Sequence, residues 1–151
     1  MKTLIALTTL IAGSIHATEI TDSLLQSIAE IESGNDNRKV GKKKETTAWQ
    51  LTDAARWDVL KFRRSRKDSA DYIAKVWSKA REDAYYIAAD YIMVINIECN
   101  QHLGRWPTLA EVLWCYNWGV QNVKEVNFQF ARIPYSVAAY ADRVVNRMNR
   151  K

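Results

Sequence analysis

Apolar residues recur at helical spacing along most of the chain, and the strict alternation that marks strands is nearly missing. Leu24, Leu25, Ile28 and Ile31 predict a first helix, capped by Thr21 or Asp22 and ended by Gly34. Asn35 to Thr47 is polar, basic and loop-like. Thr52 or Asp53 caps a second helix with Ala54, Ala55, Trp57, Val59 and Leu60 on its apolar side. A basic stretch from Lys61 to Lys67 follows, then a helical segment over Ser69 to Ala80 with Ile73, Val76 and Trp77 at helical spacing. Asp83 to Leu103 is apolar nearly all round, the pattern of a buried spine in a bundle. Asp90 and Asn96 interrupt it, so its apolar runs are too short to cross a membrane. Pro107-Thr108 opens a helix that ends at Trp118-Gly119, and a short segment runs from Asn122 to Phe130. Ser136 caps a last helix with Val137, Ala138, Tyr140, Ala141, Val144, Val145 and Met148. The elements predict one all-α domain, with minimal β-structure and a buried central helix; no repeat or linker divides it.

The first residues have a different pattern. Met1-Lys2 is a short basic start, Leu4 to Ala12 is apolar, and Ser14-Ile15-His16-Ala17 offers a small residue before Thr18. That order is the order of an export signal, expected over residues 1–17, with the domain over 18–151. The expected location is periplasmic or extracellular. Cys99 and Cys115 flank the turn Gly104-Arg105-Trp106-Pro107, so two antiparallel helices would bring them together. Outside the cytoplasm they are either a disulfide or two small buried thiols.

Composition narrows the classes. A chain of 151 residues with 48% hydrophobic and 26% charged residues can build a core and is not disordered. Five Gly and two Pro exclude collagenous and Pro-rich classes. Two His and no CxxC pair give no basis for a metal site, and no cofactor is expected. Six Trp and seven Tyr suit a core or the stacking of flat ligands such as sugars. The net charge of +5 favours an anionic wall or membrane surface as a peripheral contact. The clusters Arg38, Lys39, Lys42, Lys43, Lys44 and Lys61, Arg63, Arg64, Arg66, Lys67 read first as solvated faces. No nucleic-acid partner is expected.

Candidate chemistry begins where the first helix ends. Glu32 follows Ile28 by one turn, adjoins Ile31 and precedes the Ser33-Gly34 break. A carboxyl partly desolvated by apolar neighbours has a raised pKa, which suits a general acid.

Three segments then occur in order: Ile28-Ala-Glu-Ile-Glu-Ser-Gly-Asn-Asp-Asn37 with Val40-Gly41 and Ala48-Trp-Gln-Leu-Thr52; Val112-Leu-Trp-Cys-Tyr-Asn-Trp-Gly119; and Tyr140-Ala-Asp-Arg-Val144. Together they resemble the motifs of the lysozyme-like lytic transglycosylases, over essentially Asp22 to Asn149. The resemblance implies a lysozyme-like fold with Glu32 as the catalytic acid and base. It places Ser33, Gln50, Tyr116, Asn117 and Tyr140 about the substrate. It implies cleavage between N-acetylmuramic acid and N-acetylglucosamine, with closure of a 1,6-anhydro ring by the muramyl 6-hydroxyl. The partner implied is the peptidoglycan glycan strand; a monomer is expected.

Two positions depart from the family pattern. Where the family has Gly-Leu-Met-Gln, this chain has Thr47-Ala-Trp-Gln50, so Ala48 and Trp49 are expected to narrow the wall or re-aim Gln50. Trp118 follows Tyr-Asn in place of the usual Ala and is expected to be an added sugar platform or an obstruction. An ordinary hydrolase would place a second carboxyl across the bond. Asp36, Glu45, Asp53 and Asp58 are the candidates for it, none within a motif. A hydrolytic muramidase and a non-catalytic glycan- or protein-binding module are the alternatives.

Overall fold

A computed structural model describes residues 16–42 and 45–150. The expected export signal lies outside the described residues, apart from His16 and Ala17. The fold is all-α. Its helices are α1 Asp22–Ser33, α2 Asp53–Ser65, α3 Ala70–Ala74, α4 Arg81–Leu103, α5 Leu109–Trp118, α6 Val120–Glu125 and α7 Tyr135–Met148. Tight 3-10 turns lie at Lys75–Trp77 and Phe130–Arg132. Among the described residues, extended pairing is confined to two isolated antiparallel bridges, Val40 with Thr46 and Thr46 with Leu51.

Short-range chemistry sets most helix ends. The Thr21 and Thr52 hydroxyls each accept a backbone N–H at 3.1 Å, from Leu24 and Ala55. Thr108 and Glu111 form a reciprocal capping box at the start of α5. Gly34 ends α1 with a left-handed φ of 67°, a conformation that costs glycine little. The last helix departs from expectation: Pro134, not Ser136, stands at the cap of α7. Its carbonyl accepts from Val137 at 2.9 Å and Ala138 at 3.1 Å, so Ser136 lies inside the first turn.

α4 is the buried spine, about 35 Å long at the usual helical rise. Ala84, Ile87, Ala88, Ile92, Ile95 and Cys99 are fully enclosed along it. α2, α5 and α6 pack against this spine, and α7 lies across α1 and α5. No helix of the described residues is long and apolar enough to cross a membrane.

Three expectations about the second and third helical segments are corrected. Ala54 and Trp57 are exposed; the enclosed face of α2 is Ala55, Arg56, Val59, Leu60 and Arg63. Arg63, read as part of a solvated run, is 1% exposed. The segment from Ser69 to Ala80 is not one helix but α3 followed by a 3-10 turn. The buried Arg56 guanidinium donates to the Val76 carbonyl at 2.7 Å and the Ser78 carbonyl at 3.0 Å, which holds that turn in place. Trp77 is consequently outside the core, edge-on to Trp57 at 5.2 Å between ring centroids.

Candidate functional site

The last turn of α1 carries Glu32 to the edge of a cavity of about 470 Å³. Lys39, Gly41, Lys42, Glu45, Gln50, Thr52, Tyr116 and Asn117 complete its lining. A smaller depression of about 210 Å³ shares Glu45, Gln50, Thr52, Tyr116 and Asn117 and extends the cleft to Trp118 and Gly119. Glu32, Gln50, Tyr116, Asn117 and Trp118, far apart in sequence, therefore border one continuous cleft.

Two singled-out residues are placed differently. Ser33 is buried and its hydroxyl donates to the Ala29 carbonyl at 3.0 Å, so it stays within α1 and does not line the cavity. Tyr140 is buried behind Glu32 and is not part of the lining. Its hydroxyl interacts with the Glu32 carboxylate but reaches no partner at ordinary hydrogen-bond geometry.

The loop before α2 forms the other wall. The Gly41 N–H donates to the Glu45 carbonyl at 2.8 Å, and Thr46 and Leu51 exchange bonds of 3.1 and 2.9 Å. This narrow ribbon fixes the backbone on both sides of Glu45. A Cβ on Gly41 would lie 2.3 Å from Glu45 Oε2 and 2.6 Å from Gln50 Oε1, so both side chains pack on bare glycine backbone. Gln50 Nε2 donates to the carbonyls of Lys39 at 3.0 Å and Thr47 at 2.8 Å. The Tyr116 hydroxyl donates to the Trp49 carbonyl at 2.8 Å, tying α5 to the ribbon.

Trp49 does not narrow the cleft. It is 1% exposed, its indole N–H donates to the Leu25 carbonyl at 2.9 Å, and it meets Tyr85 edge-on. Thr47 and Gln50 take left-handed φ values of 72° and 48°, which turns the indole into the core while Gln50 faces the cavity. Trp118 borders the extended cleft at partial exposure, a position open to a sugar face.

Electrostatics separates Glu32 from an ordinary surface carboxylate. Burial raises its pKa; Tyr140 lowers it, the charge of Glu45 raises it, and Lys39 and Arg143 lower it, with a net rise. Tyr116 and Tyr140 are pushed well above the ordinary phenol value, first by burial and then by the charge of Glu32. Both phenols remain neutral across physiological pH. The arrangement offers a carboxyl that can hold a proton, beside neutral donors, on an open cleft lined by amides.

Sequence reasoning did not single out Lys39, Lys42 and Arg143 for this site, and it left Glu45 without a motif. No spacing signal marks the lysines or Glu45, which the turn of the ribbon brings in; Arg143 lies inside the Tyr140-to-Val144 segment, and the packing of α7 on α1 brings it to Glu32. Among the described residues no group of three or more His, Cys, Asp or Glu is placed to hold a metal ion. Cys99 and Cys115 are buried free thiols whose sulfurs are 3.6 Å apart across the α4–α5 contact.

Compared with known proteins, the chain matches no protein-family model, no curated protein and no solved structure.

Proposed function

We propose that this is an exported peptidoglycan-cleaving enzyme, a lytic transglycosylase in which Glu32 serves as acid and then as base. The observation that carries the reading is the Glu32 carboxyl at the mouth of an open cleft, its pKa raised chiefly by burial. The order of motifs about Glu32, Gln50, Tyr116-Asn117 and Tyr140 supplies the substrate class: the glycan strand of the cell wall. Protonated Glu32 donates to the oxygen between N-acetylmuramic acid and N-acetylglucosamine as the bond to the anomeric carbon breaks. The substrate's acetamido oxygen attacks that carbon. Glu32, now a carboxylate, takes the proton of the muramyl 6-hydroxyl as the 1,6-anhydro ring closes and the acetamide is restored. No water is consumed.

Mass spectrometry of soluble products from purified peptidoglycan tests this, with Glu32→Gln alongside. The expected products are lighter than hydrolytic ones by one water and lack a reducing end, and the variant releases none. Release of no products by folded wild-type protein would sink the catalytic reading and favour a glycan-binding module on the same cleft.

A further inference from the structure

Glu45 belongs to none of the motifs, yet it shares the cavity with Glu32. We propose that Glu45 is a second carboxylate of the reaction, accepting the N–H of the sugar's 2-acetamido group and facing the positive charge that develops as the glycosidic bond breaks. This rests on the glycan-cleaving reading above.

The first support is placement. Glu32 comes from the last turn of α1 and Glu45 from the ribbon before α2, so the two carboxyls approach one cavity from separate segments. The second is rigidity. The ribbon bonds on either side fix the Glu45 backbone, and Oε2 lies against Gly41, 2.3 Å from where a Cβ would stand. A carboxylate carried on bonded backbone has its approach to the cavity set before substrate arrives, as a stabilising charge needs. The third is the unequal surroundings of the two carboxyls. Glu32 is desolvated by burial at the end of α1, whereas Glu45 is on a wall that also bears Lys39 and Lys42. Paired carboxyls in unequal surroundings divide into one that holds a proton and one that holds a charge.

The chemistry then balances without another reactant. Glu32 gives its proton to the leaving oxygen, the bond between that oxygen and the anomeric carbon breaks, and the acetamido carbonyl oxygen bonds to the same carbon. The positive charge passes to the acetamido nitrogen, whose N–H points at the Glu45 carboxylate. Attack by the 6-hydroxyl oxygen breaks the temporary bond, its proton goes to Glu32, and the neutral acetamide leaves Glu45. Glu45 exchanges no proton and forms no covalent bond.

Among the described residues, the charged and titratable groups about Glu32 are Tyr140 and Arg143 from α7, Lys39, Lys42 and Glu45 from the loop, and Tyr116 from α5. Glu45 is the carboxylate among them. Removing its charge therefore lowers the pH at which Glu32 loses its proton.

The test uses soluble chains of alternating N-acetylglucosamine and N-acetylmuramic acid, with wild type, Glu45→Gln and Glu45→Asp. Glu45→Gln is expected to lower kcat about 10²-fold while KM moves less than about 3-fold, the pattern of a group acting mainly in the transition state. The alkaline limb of its kcat–pH profile shifts to lower pH, and Glu45→Asp recovers part of the rate. Circular dichroism of each variant reads the fold. A Glu45→Gln protein with wild-type kcat and an unmoved alkaline limb overturns the assignment while leaving the glycan-cleaving reading intact. Reducing-end products that carry ¹⁸O from labelled water also overturn it, because Glu45 would then be a base for water. An inactive, folded wild type overturns the glycan-cleaving reading itself and this assignment with it.

Discussion

The strongest test of the architecture is at a charge pair one member of which, Arg63, the sequence presents as part of a solvated run. Arg63 is 1% exposed, and its Nε donates to Asp90 Oδ2 at 2.7 Å. One terminal nitrogen donates to the Tyr72 carbonyl at 2.7 Å, and the guanidinium stacks on the Tyr72 ring at 3.8 Å. The other terminal nitrogen, Nη2, is buried without a partner. Asp90 also accepts from the Tyr72 hydroxyl at 3.0 Å and has Arg66 at 3.6 Å. Asp90→Ala removes the one carboxylate among the described residues that meets the enclosed guanidinium and leaves it one carbonyl and a ring face. Stranding a buried charge in this way costs about 3–5 kcal/mol, more than the net worth of the intact pair, because desolvation is no longer offset. For a chain of this size that lowers Tm by roughly 10–15 °C. Thermal melts and urea titrations read the loss. The double variant Arg63→Met/Asp90→Leu removes both charges and fills similar volume, so it should lie within about 1 kcal/mol of wild type. A single variant that loses less than about 1 kcal/mol would refute the reasoning. So would a double variant no more stable than the single one.

Further predictions follow the same physics. Glu32 has a folded-state pKa above its ordinary 4.5, so ionising it opposes folding; that cost is full above the folded pKa and gone below the unfolded one. Glu32→Gln should therefore raise Tm at neutral pH, with the gain disappearing as melts are taken below pH 4.5. A gain independent of pH would contradict this account. The Cys99 and Cys115 sulfurs, 3.6 Å apart and 16 positions apart in sequence, should oxidise to a disulfide with little movement. Thiol titration before and after mild oxidation should fall from two groups to none, with a gain of about 3 kcal/mol in urea melts. Thr108→Ala removes half of the capping box of α5 and should cost about 1 kcal/mol in the same melts.

Legibility of the fold depended on the range of the interactions that decide it. Thr21, Thr52 and Gly34 act within a few residues, so the sequence shows where α1 starts and stops and where α2 starts. The apolar spine of α4 was equally plain, because a helix apolar all round has nowhere to go but inside. Arg56 and Arg63 were not legible. Their partners lie 20 and 27 residues away, and only those partners make an enclosed guanidinium tolerable. Burying those two positions turned α2 about its axis and left Trp57 outside. Glu45 was one of four candidate second carboxyls with nothing to select it, for a similar reason: its place in the cavity with Glu32 comes from two bridges through Thr46, and two bridges leave no periodic signature.

The residues that the motifs single out divide by what remains of their polar groups. Tyr116 spends its hydroxyl on the Trp49 carbonyl, and Gln50 spends its amide N–H groups on Lys39 and Thr47. Both reach the cavity wall as parts of its frame, so their substitution would first loosen the ribbon that carries Glu45. Asn117 is exposed at the cleft, and Trp118 offers a partly open ring beside it. Under the proposed reading, the groups left at the cleft for a sugar are Asn117, the Gln50 side-chain carbonyl oxygen, the Trp118 face and Glu45, while the neutral Tyr140 phenol is buried outside the lining. A site divided in this way places its rigidity in one set of residues and its contacts in another. It follows that residues which look alike as a motif need not fail alike: loss of a frame residue disturbs both carboxyls together, whereas loss of a contact residue leaves their arrangement in place.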